Sequence, residues 1–304
     1  DKFRYQDRSE KDLLNGLSSW SPSVRKRSAG ELKEREGDFQ PALLKLMASS
    51  DRYSRYGAAE ALGQPGVKAD ATVSVSTLTE ALESDDLCLR ILAAEALARI
   101  GSPARPAVPA MLQRLAKTDG ENDPRGMEQR FLCFSLFNRR GGLIGRSLDG
   151  IDRELLLRAV RIGLQNEDGR ARGSLGSVYA NLTYDEIKPL LPAIHQAIVE
   201  PAPSGIMFAS GIRLSGIALL ARHRIREGMP LCIQIMEIEK WGKKNRITQC
   251  LKTLETYGAA AKAVLPELRQ LEKDLRAHKE ARMLAPVTQQ AQSLIKKIDR
   301  ADGT

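Results

Sequence analysis

Arginine is the residue type in this chain whose placement most invites a chemical reading. Between residues 118 and 239 there are 14 arginines against one lysine, Lys188. A planar guanidinium fork matches carboxylate and phosphate oxygens better than an ammonium point charge does. Arg139, Arg140 and Arg146 fall in a stretch, 138–150, that also carries four glycines. Arg170 and Arg172 fall in a second glycine-rich stretch, 166–176, and His223 sits in the basic run Arg222-His223-Arg224-Ile225-Arg226. These six residues form the candidate binding group, with a polyanion or a carboxylate-rich surface as the chemistry they suit. The alternative assigns the same arginines to ion pairs at helix ends and between neighbouring elements.

Other chemistry finds less support. The three histidines, His195, His223 and His278, have no metal-ligand spacing to one another or to a cysteine. Cys88, Cys133, Cys232 and Cys250 form no CxxC pair and have apolar neighbours, which reads as reduced core thiols. No metal and no cofactor is therefore expected. Gly141, Gly142 and Gly145 lack the GxxxxGK[ST] arrangement of a phosphate cradle, and the Gly-Ser-Leu-Gly at 173–176 lacks the strand and spacing of a nucleophile elbow. Asp85 beside Asp86 and Asp185 beside Glu186 stand at expected helix starts, where the helix dipole accounts for them. The chain is expected not to be an enzyme.

Composition says what kind of scaffold must position these groups. The 304 residues are 42% hydrophobic but only 5% aromatic, so small aliphatic side chains must fill the interior. The net charge of +9 is unevenly spread: residues 1–120 carry 18 basic and 17 acidic side chains, and the remainder carries 29 and 21. A moderate basic excess in the second part leaves an anionic partner open. No run reaches membrane-span length and no signal segment opens the chain. A cytoplasmic location is favoured; export stays open because the sequence starts at Asp1.

The organising feature is a repeat. Val-Arg-Lys-Arg-Ser-Ala-Gly-Glu-Leu at 24–32 returns as Ser-Arg-Tyr-Gly-Ala-Ala-Glu-Ala-Leu at 54–62 and Leu-Arg-Ile-Leu-Ala-Ala-Glu-Ala-Leu at 89–97. Arg25, Arg55 and Arg90 superpose, followed by the small pairs Ser28-Ala29, Ala58-Ala59 and Ala93-Ala94. On a helix such small residues let a second helix come close, which makes each segment the inner member of a pair. Leucine-rich segments around 13–17, 43–47 and 78–82 precede them as outer helices. Gly-Ser-Pro at 101, Lys-Pro at 188 and Gly-Ala-Ala-Ala at 258 place further outer helices near 104, 186 and 260, each with proline near its start.

An Asp, then Val-Arg, then small residues in the second helix of a roughly forty-residue unit resembles the HEAT-repeat family. The resemblance is close over 10–118 and 229–270 and loose between. It implies an all-α, armadillo-like α-α superhelix of about seven helix pairs plus a C-terminal helix near 280–299. The expected organisation is one solenoid over 1–304, regular at 10–118 and 229–278 and loop-rich at 119–228. The repeat arginine is carried forward to Arg130, Arg170, Arg213 and Arg246; at one position per repeat it suits a ladder to an acid or helix C-terminus of the neighbouring unit. The expected polar or glycine-rich linkers are 119–125, 138–150, 166–176 and 200–211, the last with an apolar Ile-Met-Phe centre.

The family implies macromolecular binding rather than a reaction. The favoured reading is a non-catalytic scaffold holding a protein partner, as the HEAT region of a larger bacterial protein. The alternatives are nucleic acid or another polyanion held by the arginine-rich centre, or a HEAT-like enzyme. DNA glycosylases and bilin lyases built from such repeats share only the architecture. With Trp20 and Trp241 at opposite ends of the chain and few tyrosines, a base-stacking platform is poorly supplied.

Overall fold

The computed structural model describes residues 4–66, 70–117 and 123–301. The expected linker at 119–125 therefore lies outside the described residues over 119–122, as does Asp1. Among the described residues the structure is helical, with no strand and one isolated bridge between Asp168 and Ser204. None of the described helices is long and apolar enough to cross a membrane. Contacts group the chain into two compact units, one ending at Glu167 and one beginning at Asp168.

The first unit contains α1 (Glu10–Leu17), α2 (Pro22–Leu32), α3 (Gln40–Met47), α4 (Arg52–Leu62), α5 (Ala71–Ala81), α6 (Leu87–Ile100), α7 (Val108–Ala116), α8 (Met127–Phe137) and α9 (Arg153–Gln165). Helices α1 to α8 pack as antiparallel pairs in chain order, and the even-numbered members α2, α4, α6 and α8 touch one another in a row. The small residues read from the sequence form this row's seam. Ser28, Ala29, Ala58, Ala59, Ala93 and Ala94 are all fully buried. A Cβ placed on Gly57 of α4 would lie 2.1 Å from the Leu17 carbonyl oxygen, so the end of α1 rests directly on the α4 backbone.

Helix starts follow the side chains that supply missing acceptors. Asp51, Asp70 and Asp86 each accept two backbone N–H groups from the first turn of α4, α5 and α6. The Gly-Ser-Pro signature at 101 behaves differently from a plain helix start. Residues Ser102–Ala107 wind as a 3-10 turn, and α7 proper begins at Val108 with Pro109 in its first turn. The same substitution of a 3-10 turn for the expected helix start occurs at Lys188–Leu190 and at Gly258–Val264. A proline cannot donate the N–H that would extend the α-helix backwards, so the α-helical part of the outer helix starts at or just before it.

The second unit contains α10 (Gly169–Leu175), α11 (Tyr184–Ile187), α12 (Leu191–Val199), α13 (Ser210–Arg222), α14 (Gly228–Gln234), α15 (Lys243–Glu255), α16 (Leu265–Ala277) and α17 (Ala281–Arg300). Here α12 pairs with α13, α14 with α15 and α16 with α17, while α10, α13, α15 and α17 form the inner row. The terminal helix expected at 280–299 is thus the inner member of a last pair. Its Leu284, Val287, Ala291, Leu294 and Ile298 recur at helical spacing and are buried.

Three of the four cysteines are buried, and burial pushes the Cys133 and Cys250 thiols up to about 12. Cys88 is a correction to the core reading. It occupies the first turn of α6, where its side chain is exposed despite its leucine neighbours.

Candidate functional site

Every inner helix except α17, which has Leu284 there, carries an arginine four residues after its N-cap. Arg25 donates to the carbonyls of Ser19 (2.9 Å) and Trp20 (3.1 Å), and lies 3.5 Å from Glu60 on α4. Arg55 donates to Ser49 (2.7 Å) and Ser50 (3.1 Å), with Asp86 at 3.9 Å. Arg90 donates to Ser84 (2.9 Å) and to Glu128 on α8 (2.9 Å), a carboxylate also held by Arg114. One fork thus joins the exposed carbonyls closing the outer helix to an acid of the next pair. Arg25 and Arg90 are almost wholly buried in doing so, and burial outweighs the Arg25 attraction at Glu60, holding that carboxyl above the usual range.

In the second unit Arg213 donates to Ile198 (2.6 Å) and Glu237 (3.0 Å). Arg246 donates to Ile235, Trp241 and Glu237 carbonyls at 2.8, 2.9 and 2.6 Å. Burial, with Arg213 adding to it, pulls the Arg246 guanidinium below its usual value against the pull of Glu237. Arg130 occupies the same place on α8, its guanidinium 5.8 Å from the Phe134 ring centre. On α10 the N-cap is Asp168, so the residue four positions on is Arg172, not the Arg170 that spacing alone selected. Arg172 donates to the Glu200 carbonyl at 3.0 Å, whereas Arg170 is exposed and stacks 4.4 Å over the Phe208 ring.

The six candidate binding residues divide between the units, with Arg139, Arg140 and Arg146 in the first and Arg170, Arg172 and His223 in the second. Arg139, Arg140 and Arg146 are exposed on the loop after α8, at the opposite end of that helix from Arg130. This loop folds back so that the Leu143 and Ile144 amides donate to Ser135 and Leu136 carbonyls, both at 2.9 Å. Gly145 is needed there, since a Cβ would meet the Asn138 carbonyl oxygen at 2.3 Å. Arg170 and Arg172 sit at the start of α10, while His223 caps the far end of α13. His223 lies beside Tyr184 and with His195 lines a cleft of about 420 Å³. Arg222 approaches the His223 Nε2 at 3.1 and 3.3 Å through two N–H groups, which requires that nitrogen to act as acceptor. Among the described residues no three His, Cys, Asp or Glu side chains converge as a metal site.

A feature that the sequence reading passed over stands at the N-terminal ends of the second unit's inner helices. Met207, Phe208, Trp241 and Met283 are exposed, Trp241 at 82%. Met207 and Trp241 wall a cleft of about 480 Å³ whose polar lining includes Arg213, Glu237 and Arg246. On its other side Trp241 joins Met283 in a cleft of about 700 Å³, together with Lys243, Lys244 and Glu280. The Lys243 ammonium hydrogen-bonded to Glu280 holds that carboxyl below its ordinary value. The signal was available in the register: Phe208 and Trp241 each lie five residues before a ladder arginine, as Trp20 does before Arg25.

Comparison with known proteins agrees with this geometry. A family model described as HEAT repeats matches residues 41–126. The crystal structure of YibA from Escherichia coli superposes with a TM-score of 0.65 at 15% identity, over 97% of this chain and 94% of that one. The fold is a HEAT-repeat solenoid. An engineered protein's crystal structure aligns over 96% of this chain and 89% of its own, with a TM-score of 0.42 and 15% identity. No curated protein matches the sequence. The HEAT pairing explains why Met207, Trp241 and Met283 share one edge of the unit: each stands where an outer helix gives way to its inner partner.

Proposed function

We propose that this HEAT-repeat chain is a non-catalytic scaffold that binds a protein partner through the edge of its second unit bearing Met207, Phe208, Trp241 and Met283. The observation carrying this reading is the clustering of these large apolar side chains in and beside two adjoining clefts. Singly exposed apolar residues are ordinary, but a contiguous group rimmed by charge marks an interaction surface. Trp and Met suit that role because each offers large contact area, the first rigid and the second adaptable.

Photo-cross-linking tests the proposal. A photoreactive residue placed at position 207 or 283 of the full chain in an extract of its source cells is expected to give discrete protein adducts. The same residue at Gln249, exposed on α15, serves as control. Adducts of equal yield and pattern at all three positions, or none at 207 and 283, would reject the scaffold reading.

A further inference from the structure

Around Trp241 the apolar surface is set in an unbalanced field of positive charge. Lys240, Lys244, Lys279 and Arg282 are exposed, and among the described residues none of their side chains has a hydrogen bond or an ion pair. Two of the acids nearby are already engaged, Glu280 by Lys243 and Glu237 by Arg213, while Glu239 is exposed with its carboxylate 3.3 Å from the His278 ring. Two helix starts add to the field. Gly242, in the left-handed region at φ 74°, begins α15 without a side-chain cap, and Glu280 supplies none to α17. The first-turn N–H groups of α15 therefore make no bond to an N-cap side chain, unlike those of α4 and α6.

Resting on the scaffold reading, we infer that the Trp241 cleft takes an acidic peptide segment of the partner. A bulky apolar side chain of that segment would be seated between Trp241 and Met283, with flanking Asp or Glu residues facing Lys240, Lys244 and the start of α15. Charge complementarity selects an acidic occupant over a basic one, and the concave apolar walls select a side chain over a bare polyanion. A membrane surface shares the liking for Trp and Lys, but flat lipid does not fill a cleft of about 700 Å³.

The test uses the full chain with Trp20→Phe, which leaves Trp241 as the sole tryptophan and its emission as the reporter. The probe is a twelve-residue peptide of Asp and Glu around a central Leu-Phe pair. Saturable binding with a blue shift is expected, weakened at least tenfold by Lys240→Glu with Lys244→Glu and likewise by raising salt from 50 to 300 mM. Both lysines are exposed, so an unchanged melting temperature separates lost binding from lost fold. The inference is overturned by no shift with this peptide, or by an equal response to a version with Lys in place of Asp and Glu. An equal response to an acidic version with Ser in place of Leu-Phe, or to phosphatidylserine vesicles alone, overturns it too. If position-283 cross-links persist while the acidic peptide fails, the scaffold stands and only the partner chemistry is wrong.

Discussion

The turns of the two units do opposite things with the same register position. Five residues before the ladder arginine, the first unit has Ser50 and Asp85 in its second and third pairs, and the second unit has Phe208 and Trp241. One residue further on from the first pair stand the caps Asp51 and Asp86, and from the second Ala209 and Gly242, which cap nothing. Asp86 also accepts the Tyr56 hydroxyl at 2.7 and 2.9 Å, so its carboxylate serves α6 and the preceding pair together. In the first unit turn chemistry is spent inward on stability; in the second it is left facing solvent. Trp20 and Asp168 are exceptions, the first an exposed aromatic before α2 and the second an aspartate that caps α10 of the second unit.

That contrast breaks most easily at the buried ladder. Arg90→Met removes one of the two arginines on Glu128 and the donor to Ser84, and is expected to cost about 2–4 kcal/mol in denaturant unfolding, because the buried acid keeps only Arg114. A loss under 1 kcal/mol would mean the ladder adds little. Asp86→Ala is next: it deletes a cap and orphans the Tyr56 hydroxyl, for an expected loss of about 1–3 kcal/mol.

Glu60→Gln sharpens the comparison through pH. The folded carboxyl is raised by burial, so its stabilising contribution is present below the ordinary carboxylate pKa and is lost as pH rises through the raised value. Relative to the glutamine variant, the parent should lose stability over that rise, with the two nearest at acid pH. A parent that gains on the variant as pH rises would mean that the Arg25 pairing outweighs burial. Smallest of all, Trp241→Ser should change stability by no more than about 0.5 kcal/mol while removing the position-283 cross-links. A large destabilisation would make Trp241 part of the fold instead of its working surface.

Much of the fold was legible because the features that define it are local. Proline and aspartate mark helix starts, and small residues after an arginine mark the inner helix, as at 54–62 and 89–97. Arg172 was missed in favour of Arg170 because the register is set by the N-cap at Asp168, which repeat spacing alone does not reveal. The candidate surface was less legible. Arginine density drew attention to Arg139, Arg140 and Arg146, yet charge alone does not report that these lie at the other end of α8 from the ladder position. The two tryptophans were discounted for being far apart in sequence, when their shared distance from Arg25 and Arg246 was the informative quantity. Met207 and Met283 meet Trp241 only through packing of successive pairs, which no single segment encodes.

The reach of the ladder arginines also sets where the chain tolerates added length. Arg25 and Arg55 both grip carbonyls five and six residues behind them, so one inserted residue in either turn would pull the acceptors out of range. Arg246 grips carbonyls five, nine and eleven residues back, and Arg213 one fifteen back. Their turns are closed across a wider span of chain and leave slack between anchor points. Insertions and deletions can accumulate in that slack without unpicking the pair, which gives the second unit's rim room to diversify while the first unit's stays at fixed length.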